Sequence, residues 1–438
     1  MKNIDKNSTQ KIHFIGIGGI GISALARFLK EKGYEISGSD LKASKITHEL
    51  ENEGILVQIP HAAQNVAGKD LVIYSAAIKP QNVEFRRACE LGIPTLSRKE
   101  ALPLILQGKQ VFAVAGAHGK STTASILASL INDASVIIGA ILKEFGSNMI
   151  YKESERLIFE ADESDSSFLN ANPHLAIVTN AEAEHLDFYK NDVSVLHRAY
   201  EQFLAQAKIR VINAEDEFLQ GLELDALRLY PSRDIKNFKV SVKDYKPLTS
   251  FELRDLGAFS VFGMGYHLAV DASLAILAAL QFKNADELRV RLENYRGIKK
   301  RFDILVADKK HAIIDDYGHH PTEIEATLRA GRDYARLAGY SKITAIFEPH
   351  RYTRLAANLE HFKRAFKGVS ELVILPVYAA GEDIIEIDLP KHFKKALFVR
   401  DIKRIGDVLV DDEGRVYDDG LIIGFGAGDI SEKLRNEK

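Results

Sequence analysis

The run VFAVAGAHGKSTT, Val111 to Thr123, constrains this chain more than any other stretch: a short apolar segment stops at a glycine turn, and a lysine with hydroxyl neighbours opens a helix. Gly116 and Gly119 lack a Cβ, so the backbone can fold tightly and aim several N–H groups at one anion. The helix that follows adds its positive N-terminal end. Lys120 can then reach the outer phosphates of a nucleoside triphosphate, and the hydroxyl of Ser121 or Thr122 can hold Mg²⁺. Val114 stands where the longer phosphate loop has a further glycine, so this is a shortened G-x-x-G-K-S form.

Composition sets the frame around that loop. A chain of 438 residues suggests about two or three domains, and 46% hydrophobic with 27% charged residues is ordinary for a well-cored protein. A net charge of −3 and the lack of a long basic run argue against a nucleic-acid scaffold. The single cysteine, Cys89, excludes an intrachain disulfide and a Cys-based zinc cluster, and is expected as a buried helix residue. The start, MKNIDKNSTQ, has no apolar core for a signal peptide. The longest apolar run, LAVDASLAILAAL from Leu268, is interrupted by Asp271, so no membrane span is expected and the protein reads as cytoplasmic.

Short β-branched runs alternate with helical periods almost throughout, which predicts α/β architecture with parallel sheets covered by helices. The pattern falls into three blocks, with expected domains at 1–108, 109–297 and 298–438. The first carries strand-like runs from His13, Tyr34 and Asp70, helical stretches from Ile20 and Ala43, and a closing helix from Ala101. The second runs from VFAVA through strands from Arg156, Leu175 and Lys208, then irregular β or loop over about Lys236 to Phe262, then a helix from His267. The third holds strands from His311, Ser341, Leu372 and Gly420.

Several constellations carry chemistry. Gly16, Gly18 and Gly21 lie between a strand and a helix in the G-x-G-x-x-G pattern, with Asp40 about where an acid would meet a ribose hydroxyl. That turn suits a dinucleotide or a nucleoside diphosphate carrier. The strand ending in FEADESD brings Glu160, Asp162, Glu163 and Asp165, and the next ends in Asn180, Glu182, Glu184, His185 and Asp187. Two consecutive strand ends with ligand-type groups suggest a shared Mg²⁺ or Mn²⁺ site, with Glu163 and His185 as its first ligands. In the third block, Asp315, Asp316, Tyr317, His319 and His320 end a strand and read as substrate contacts. His350, Arg351 and Arg354 follow the next strand, where arginine forks suit a carboxylate or phosphate. Lys300 and Arg301 stand at the join of the second and third blocks.

The motifs GIGGIGISALA, SGSD, AGAHGKSTT, EADESD, TNAEAEHLD, DDYGHHPTEI, EPHRYTR, VYAAGE and GAGDI occur in the order seen in Mur ligases, and the chain closely resembles that family from about residue 11 to 431. The resemblance implies an N-terminal Rossmann-like UDP-substrate domain, a central P-loop ATPase domain with a mainly parallel sheet, and a C-terminal Rossmann-like domain that admits an amino acid. It implies ATP-dependent joining of L-alanine to the carboxylate of UDP-N-acetylmuramate through an acyl phosphate, in peptidoglycan synthesis, by a monomer or weak homodimer.

By that likeness Gly18, Gly19 and Gly21 serve the UDP diphosphate, Asp40 lies near the uridine, and Ser75 belongs to the UDP-substrate site. ATP falls to Gly116, Ala117, His118, Gly119, Lys120, Ser121 and Thr122, with Lys300, Arg301 and Asp316. L-alanine falls to Tyr317, His319, His350, Arg351 and Arg354, and the metal to Ser121, Glu163 and His185. Lys120, Arg301 and His319 are the expected catalytic groups. The family's His-Asn-x-x-Asn, which faces adenine, is replaced here by His267-Leu268-Ala269-Val270-Asp271. A recycling ligase that attaches a preformed peptide to the same sugar acid shares most of these motifs. A nicotinamide-dependent dehydrogenase, suggested by the first glycine turn alone, leaves the phosphate loop unexplained.

Overall fold

Alternating β-branched runs and helical periods become parallel strands joined by crossover helices. The structure is a computed structural model describing residues 10–436; the polar start Met1 to Thr9 and the last two residues, which include the outer ends of the expected first and third domains, lie outside the described residues. The chain forms two compact units, Met1–Ile235 with Val270–Asn294, and Lys236–Ala269 with Tyr295–Lys438.

The first unit opens with β1 (Lys11–Ile15), α1 (Ile20–Glu31), β2 (Glu35–Ser39), α2 (Lys45–Asn52), β3 (Leu56–Gln58), β4 (Leu71–Tyr74), α3 (Val83–Glu90), β5 (Thr95–Ser97) and α4 (Arg98–Ile105). These strands are all parallel in the order β3-β2-β1-β4-β5. The order reverses between β1 and β4, and ligands of such sheets collect beyond the strand ends at that reversal. Gly16 to Gly21 follow β1 and Ser75 follows β4, so both stand there.

A second sheet in the same unit uses β6 (Gln110–Ala115), α5 (Lys120–Leu130), β7 (Ser135–Leu142), β8 (Ser147–Ile150), β9 (Arg156–Glu160), β10 (Leu175–Val178), α6 (Val193–Gln206), β11 (Ile209–Asn213), β12 (Leu227–Leu229) and α7 (Pro231–Asp234). Its order is β12-β11-β10-β6-β9-β7-β8, with β8 antiparallel to β7. From Val111 to Ala115 β6 is buried throughout, as a strand covered on both faces must be. Each of its larger apolar side chains contributes about 1.5–3 kcal/mol by leaving water. The neighbours of β6 are β9 and β10, so the C-terminal ends of these strands converge.

Of the two readings of the next stretch, irregular β or loop, the structure has β: a three-stranded sheet of β13 (Ile235–Lys243), β14 (Lys246–Leu253) and β15 (Ala258–Phe262), in which β14 and β15 are antiparallel. Helices α8 (Tyr266–Ala279) and α9 (Ala285–Leu292) follow. Among the described residues no helix is long and apolar enough to cross a membrane.

The second unit continues with β16 (Asp303–Ala307), β17 (His311–Asp316), α10 (Pro321–Ala338), β18 (Ile343–Phe347), α11 (Tyr352–Ala357), α12 (Leu359–Ala365), β19 (Glu371–Ile374), α13 (Leu389–His392) and β20 (Leu397–Phe398). Then come β21 (Ile402–Ile405), β22 (Val408–Asp411), β23 (Val416–Tyr417), β24 (Gly420–Phe425) and α14 (Ile430–Arg435). The main sheet has the order β16-β17-β24-β18-β19-β20, with only β16 antiparallel to its neighbour, and β21-β22-β23 form a small antiparallel sheet.

Cys89 departs from expectation. It is exposed on α3, whose buried face is made by Glu84 and Ala88, one helical turn apart.

Candidate active site

The phosphate loop is the turn between β6 and α5, and its glycines are obligatory. Gly116 has φ +137°, and a Cβ there would meet Thr179 Oγ1 at 2.1 Å. Gly119, with φ +81°, caps α5, and a Cβ would strike Asp271 Oδ1 at 2.5 Å. Lys120, the first residue of α5, folds back into the loop. Its Nζ donates to Gly116 O at 2.6 Å, Ala117 O at 3.1 Å and Glu163 Oε1 at 2.9 Å. Burial disfavours its ammonium, but the Glu163 carboxylate outweighs that and raises its pKa. Glu163 is buried at 1% exposure, and burial pushes its carboxyl up to about 7 despite Lys120. Its Oε2 is buried with no hydrogen-bond partner among the described residues.

The rest of the loop is braced by the neighbouring strand ends. Ser121 Oγ donates to Glu160 Oε1 at 2.9 Å, and the other oxygen of Glu160 accepts from Gly139 N at 2.7 Å. Asn180, past the end of β10, accepts from His118 N at 3.0 Å and donates to His118 O at 2.9 Å. The His118 ring lies 3.3 Å from Glu184 and 3.5 Å from Glu182. Thr122 sits in the first turn of α5. His185, in a left-handed conformation, has a ring 44% exposed and 3.9 Å from Glu184. Among the described residues no three His, Cys, Asp or Glu side chains gather as a ready metal site.

The first glycine turn, between β1 and α1, is built differently. Ser39 O accepts from Gly16 N at 2.8 Å and Ile17 N at 3.0 Å. Asp40 Oδ2 accepts from Gly18 N at 2.8 Å, so the expected uridine acid also fixes the turn. Gly19 is the N-cap of α1, and Gly21 lies where a Cβ would be 3.1 Å from Arg98 Nη1. Ser75 Oγ stands 2.7 Å from where a Cβ on Gly16 would be. The structure thus brings Gly18, Gly19, Asp40 and Ser75 around one turn at the sheet's reversal.

In the second unit the ends of β17 and β18 meet. The Tyr317 and His319 rings are 5.1 Å apart, His319 and His350 5.9 Å, and Tyr378 stacks on His350 at 5.4 Å. Arg354 Nη1 is 3.2 Å from His350 Nδ1. Burial, helped by Arg354, pushes His350 down to about 4, and burial lowers His319 as well. Arg351 donates to Glu382 at 2.6 Å, and Arg301 lies over the Tyr317 ring at 5.5 Å and donates to Glu323 at 3.2 Å. Lys300 has φ +63°, and its carbonyl accepts from Tyr317 N at 2.7 Å. Asp316 is turned into its own loop, with Oδ2 accepting from Phe302 N at 2.8 Å and Oδ1 from Gly318 N at 2.9 Å.

Family models match residues 11–110 as "Mur ligase family, catalytic domain", 114–230 as "Mur ligase middle domain" and 300–411 as "Mur ligase, glutamate ligase domain". The chain belongs to the Mur ligase family. It is similar to a UDP-N-acetylmuramate–L-alanine ligase of Campylobacter jejuni, 73% identical over 428 residues covering 98% of this chain and 99% of the relative. It is 50% identical to the Helicobacter pylori ligase of the same name, over 98% of this chain and 96% of that one. A crystal structure of UDP-N-acetylmuramate-alanine ligase from Thermotoga maritima aligns with a TM-score of 0.82 at 26% identity, covering 98% of each chain.

Sequence reading missed several residues that shape this Mur ligase site. Glu323 is the third residue of α10, accepts from His319 N and His320 N at 3.0 and 3.2 Å, and pairs with Arg301. Burial opposes its ionisation, yet Arg301 and His319 hold it down to about 2. Its signal was a glutamate at the third position of a Pro-opened helix, where a capping box places one. Glu382, which clamps Arg351 and Thr353, closes the VYAAGE motif, and Asp271, which covers Gly119, is the charge that interrupts the apolar run from Leu268; neither signal says which residue it meets.

Proposed function

We propose that this Mur ligase joins L-alanine to the carboxylate of UDP-N-acetylmuramate, using ATP to form an acyl phosphate and releasing ADP and phosphate. The observation that carries the reading is Lys120, held at the start of α5 by the loop carbonyls and Glu163 in a turn only glycine can make. UDP-substrate, nucleotide and acceptor roles are proposed for domains at 1–108, 109–297 and 298–438. The activities named for the relatives support the choice of L-alanine over a preformed peptide.

A carboxylate is a poor electrophile. In the proposed path one of its oxygens attacks the γ-phosphorus of ATP and ADP departs, with the charge spreading on the phosphoryl oxygens stabilised by Lys120 and, by family likeness, Lys300 and Arg301. The amine of L-alanine then attacks the acyl carbon, the C–O bond to phosphate breaks, and an amine proton is lost. His319 is the proposed acceptor. Its Nδ1 faces Tyr317 O at 3.1 Å, which suits the Nδ1–H tautomer and leaves Nε2 basic, and its lowered pKa keeps the ring neutral. Arg351 and Arg354 are proposed to receive the carboxylate of L-alanine, and Tyr317 and His350 to wall that site.

The donor set of the phosphate loop fits a hard cation. The buried Glu163 oxygen that has no partner among the described residues and the hydroxyl of Ser121 are oxygen ligands of the kind Mg²⁺ takes, with His185 a further candidate and Mn²⁺ a substitute. Bound there, Mg²⁺ would neutralise phosphate charge. Asp316, whose carboxylate is occupied by backbone amides, is proposed to serve ATP by holding the 316–318 turn. The setting proposed is cytoplasmic peptidoglycan precursor synthesis, hence cell shape and division, by a monomer or weak homodimer. Phosphate release should depend on ATP, UDP-N-acetylmuramate and L-alanine together. Release with a preformed tripeptide but not with L-alanine would instead establish the recycling ligase.

A further inference from the structure

Behind the first glycine turn lies a polar cluster that the reaction does not use. Its hub is Glu84, 0% exposed on α3. Glu84 Oε1 accepts from Asn65 Nδ2 at 2.6 Å and from Ala62 N at 3.0 Å. Glu84 Oε2 accepts from Ser39 Oγ and lies 3.4 Å from both His13 Nε2 and His61 Nδ1. His13 Nδ1 is itself 3.0 Å from Ser37 Oγ. Burial disfavours the carboxylate, yet bonds from His13, Ser39 and Ala62 hold its pKa down to about 2. Glu84 is also the second residue of α3, where the helix dipole favours an anion.

A buried charge costs heavily unless every lone pair is used, so such a hub fixes whatever it touches. Both routes outward from Glu84 end at the same place. One passes through Ser39, whose hydroxyl it holds and whose carbonyl takes Gly16 N and Ile17 N of the turn. The other passes through Asn65 Oδ1, which accepts from Gln58 Nε2 at 2.7 Å, while Gln58 O accepts from Asp40 N at 3.2 Å. Ser39 and Asp40 are adjacent, and Asp40 fixes Gly18 N.

We infer that Glu84 is a positioning residue for the nucleotide half of UDP-N-acetylmuramate, setting through Ser39 and through Asn65 and Gln58 where Asp40 and the glycine turn stand. The inference rests on the proposed UDP site at that turn. Glutamine keeps the shape of Glu84 but removes the charge on which Asn65, Ala62 and Ser39 converge, and its NH₂ forces Ser39 Oγ, also 2.9 Å from His61 Nδ1, to turn its proton away. Hydrogen bonds to charged groups are worth enough that Glu84→Gln should weaken UDP-N-acetylmuramate binding about tenfold. Gln58→Met cuts only the outer route and should weaken it about threefold.

The test uses the full chain, with calorimetric Kd for UDP-N-acetylmuramate and KM for ATP and L-alanine. The expected result is a raised Kd in both variants with the two KM values within about twofold of the parent. An unchanged Kd in folded Glu84→Gln and Gln58→Met, beside a raised Kd in Asp40→Ala, would overturn the inference alone. An unchanged Kd in Asp40→Ala would overturn the site and the inference together. A parallel rise of all constants with a lower Tm would show a merely structural role. If Glu84→Gln does not fold, Gln58→Met decides.

Discussion

The two glycine turns of the first unit share one design and diverge in what fills it. Each joins a buried parallel strand to a helix and lies at the carboxyl end of its sheet. The phosphate loop brings its own cation: Lys120 occupies the turn, and Glu163 and Glu160 flank it. The first turn brings an acid, since Asp40 is bonded to Gly18 N, and its nearby cation, Arg98, comes from α4 and lies beside Gly21. On the proposed reading, backbone geometry selects phosphate, and side chains select which phosphate compound and what happens to it. A triphosphate that must be broken needs mobile positive charge. A diphosphate carrier that is only held needs amides, a helix end and an acid for its sugar.

That contrast is sharpest in paired substitutions. Lys120→Ala should lower kcat about 10³-fold, the scale of losing a donor to developing charge, while leaving the Kd of UDP-N-acetylmuramate unchanged. Gly119→Ala should lower activity about 10²-fold, since a Cβ at φ +81° also strikes Asp271; steady-state kinetics on a folded variant checks it. Asp40→Ala should do the converse of Lys120→Ala, raising the KM for UDP-N-acetylmuramate about tenfold with the KM for ATP unmoved. If either substitution moved the other turn's constant equally, the division of labour would be wrong.

The smallest effect is on stability. Burial raises Glu163 from 4.5 to about 7 in the fold, so the folded state holds that proton more tightly than the unfolded chain. Its contribution is full below the unfolded value and is lost as pH rises through about 7. Without nucleotide, the Tm of the parent should fall relative to Glu163→Gln by a few degrees over that window. A flat difference in melting scans would contradict the burial argument.

How much of this was legible in the sequence follows from distance along the chain. The phosphate loop and the first glycine turn are local patterns, and both stand where the spacing put them. The end of β10 was legible too, because Asn180 follows an unbroken apolar strand. The contacts that complete each turn were not. Asp271, visible in the sequence only as a charge inside an apolar run, stands over Gly119 from α8, and Arg98 of α4 reaches Asp162 and Asp165 at 3.2 and 3.3 Å without a trace in its own neighbourhood. β7 was missed because SVIIGAIL is apolar without alternation and is interrupted by Gly139. β13 gives a strand signal too weak to separate from loop because much of it is exposed and polar, in a small sheet with little to bury. Cys89 was placed inside because cysteine is usually buried, whereas α3 spends its inner face on Glu84.

The central claim is that the phosphate loop activates the sugar acid as an acyl phosphate. The direct test is to label the carboxylate oxygens of UDP-N-acetylmuramate with ¹⁸O, run the reaction with ATP and L-alanine, and weigh the released phosphate. Transfer of one labelled oxygen to phosphate for each amide formed is the predicted result. Amide formation with unlabelled phosphate would contradict it.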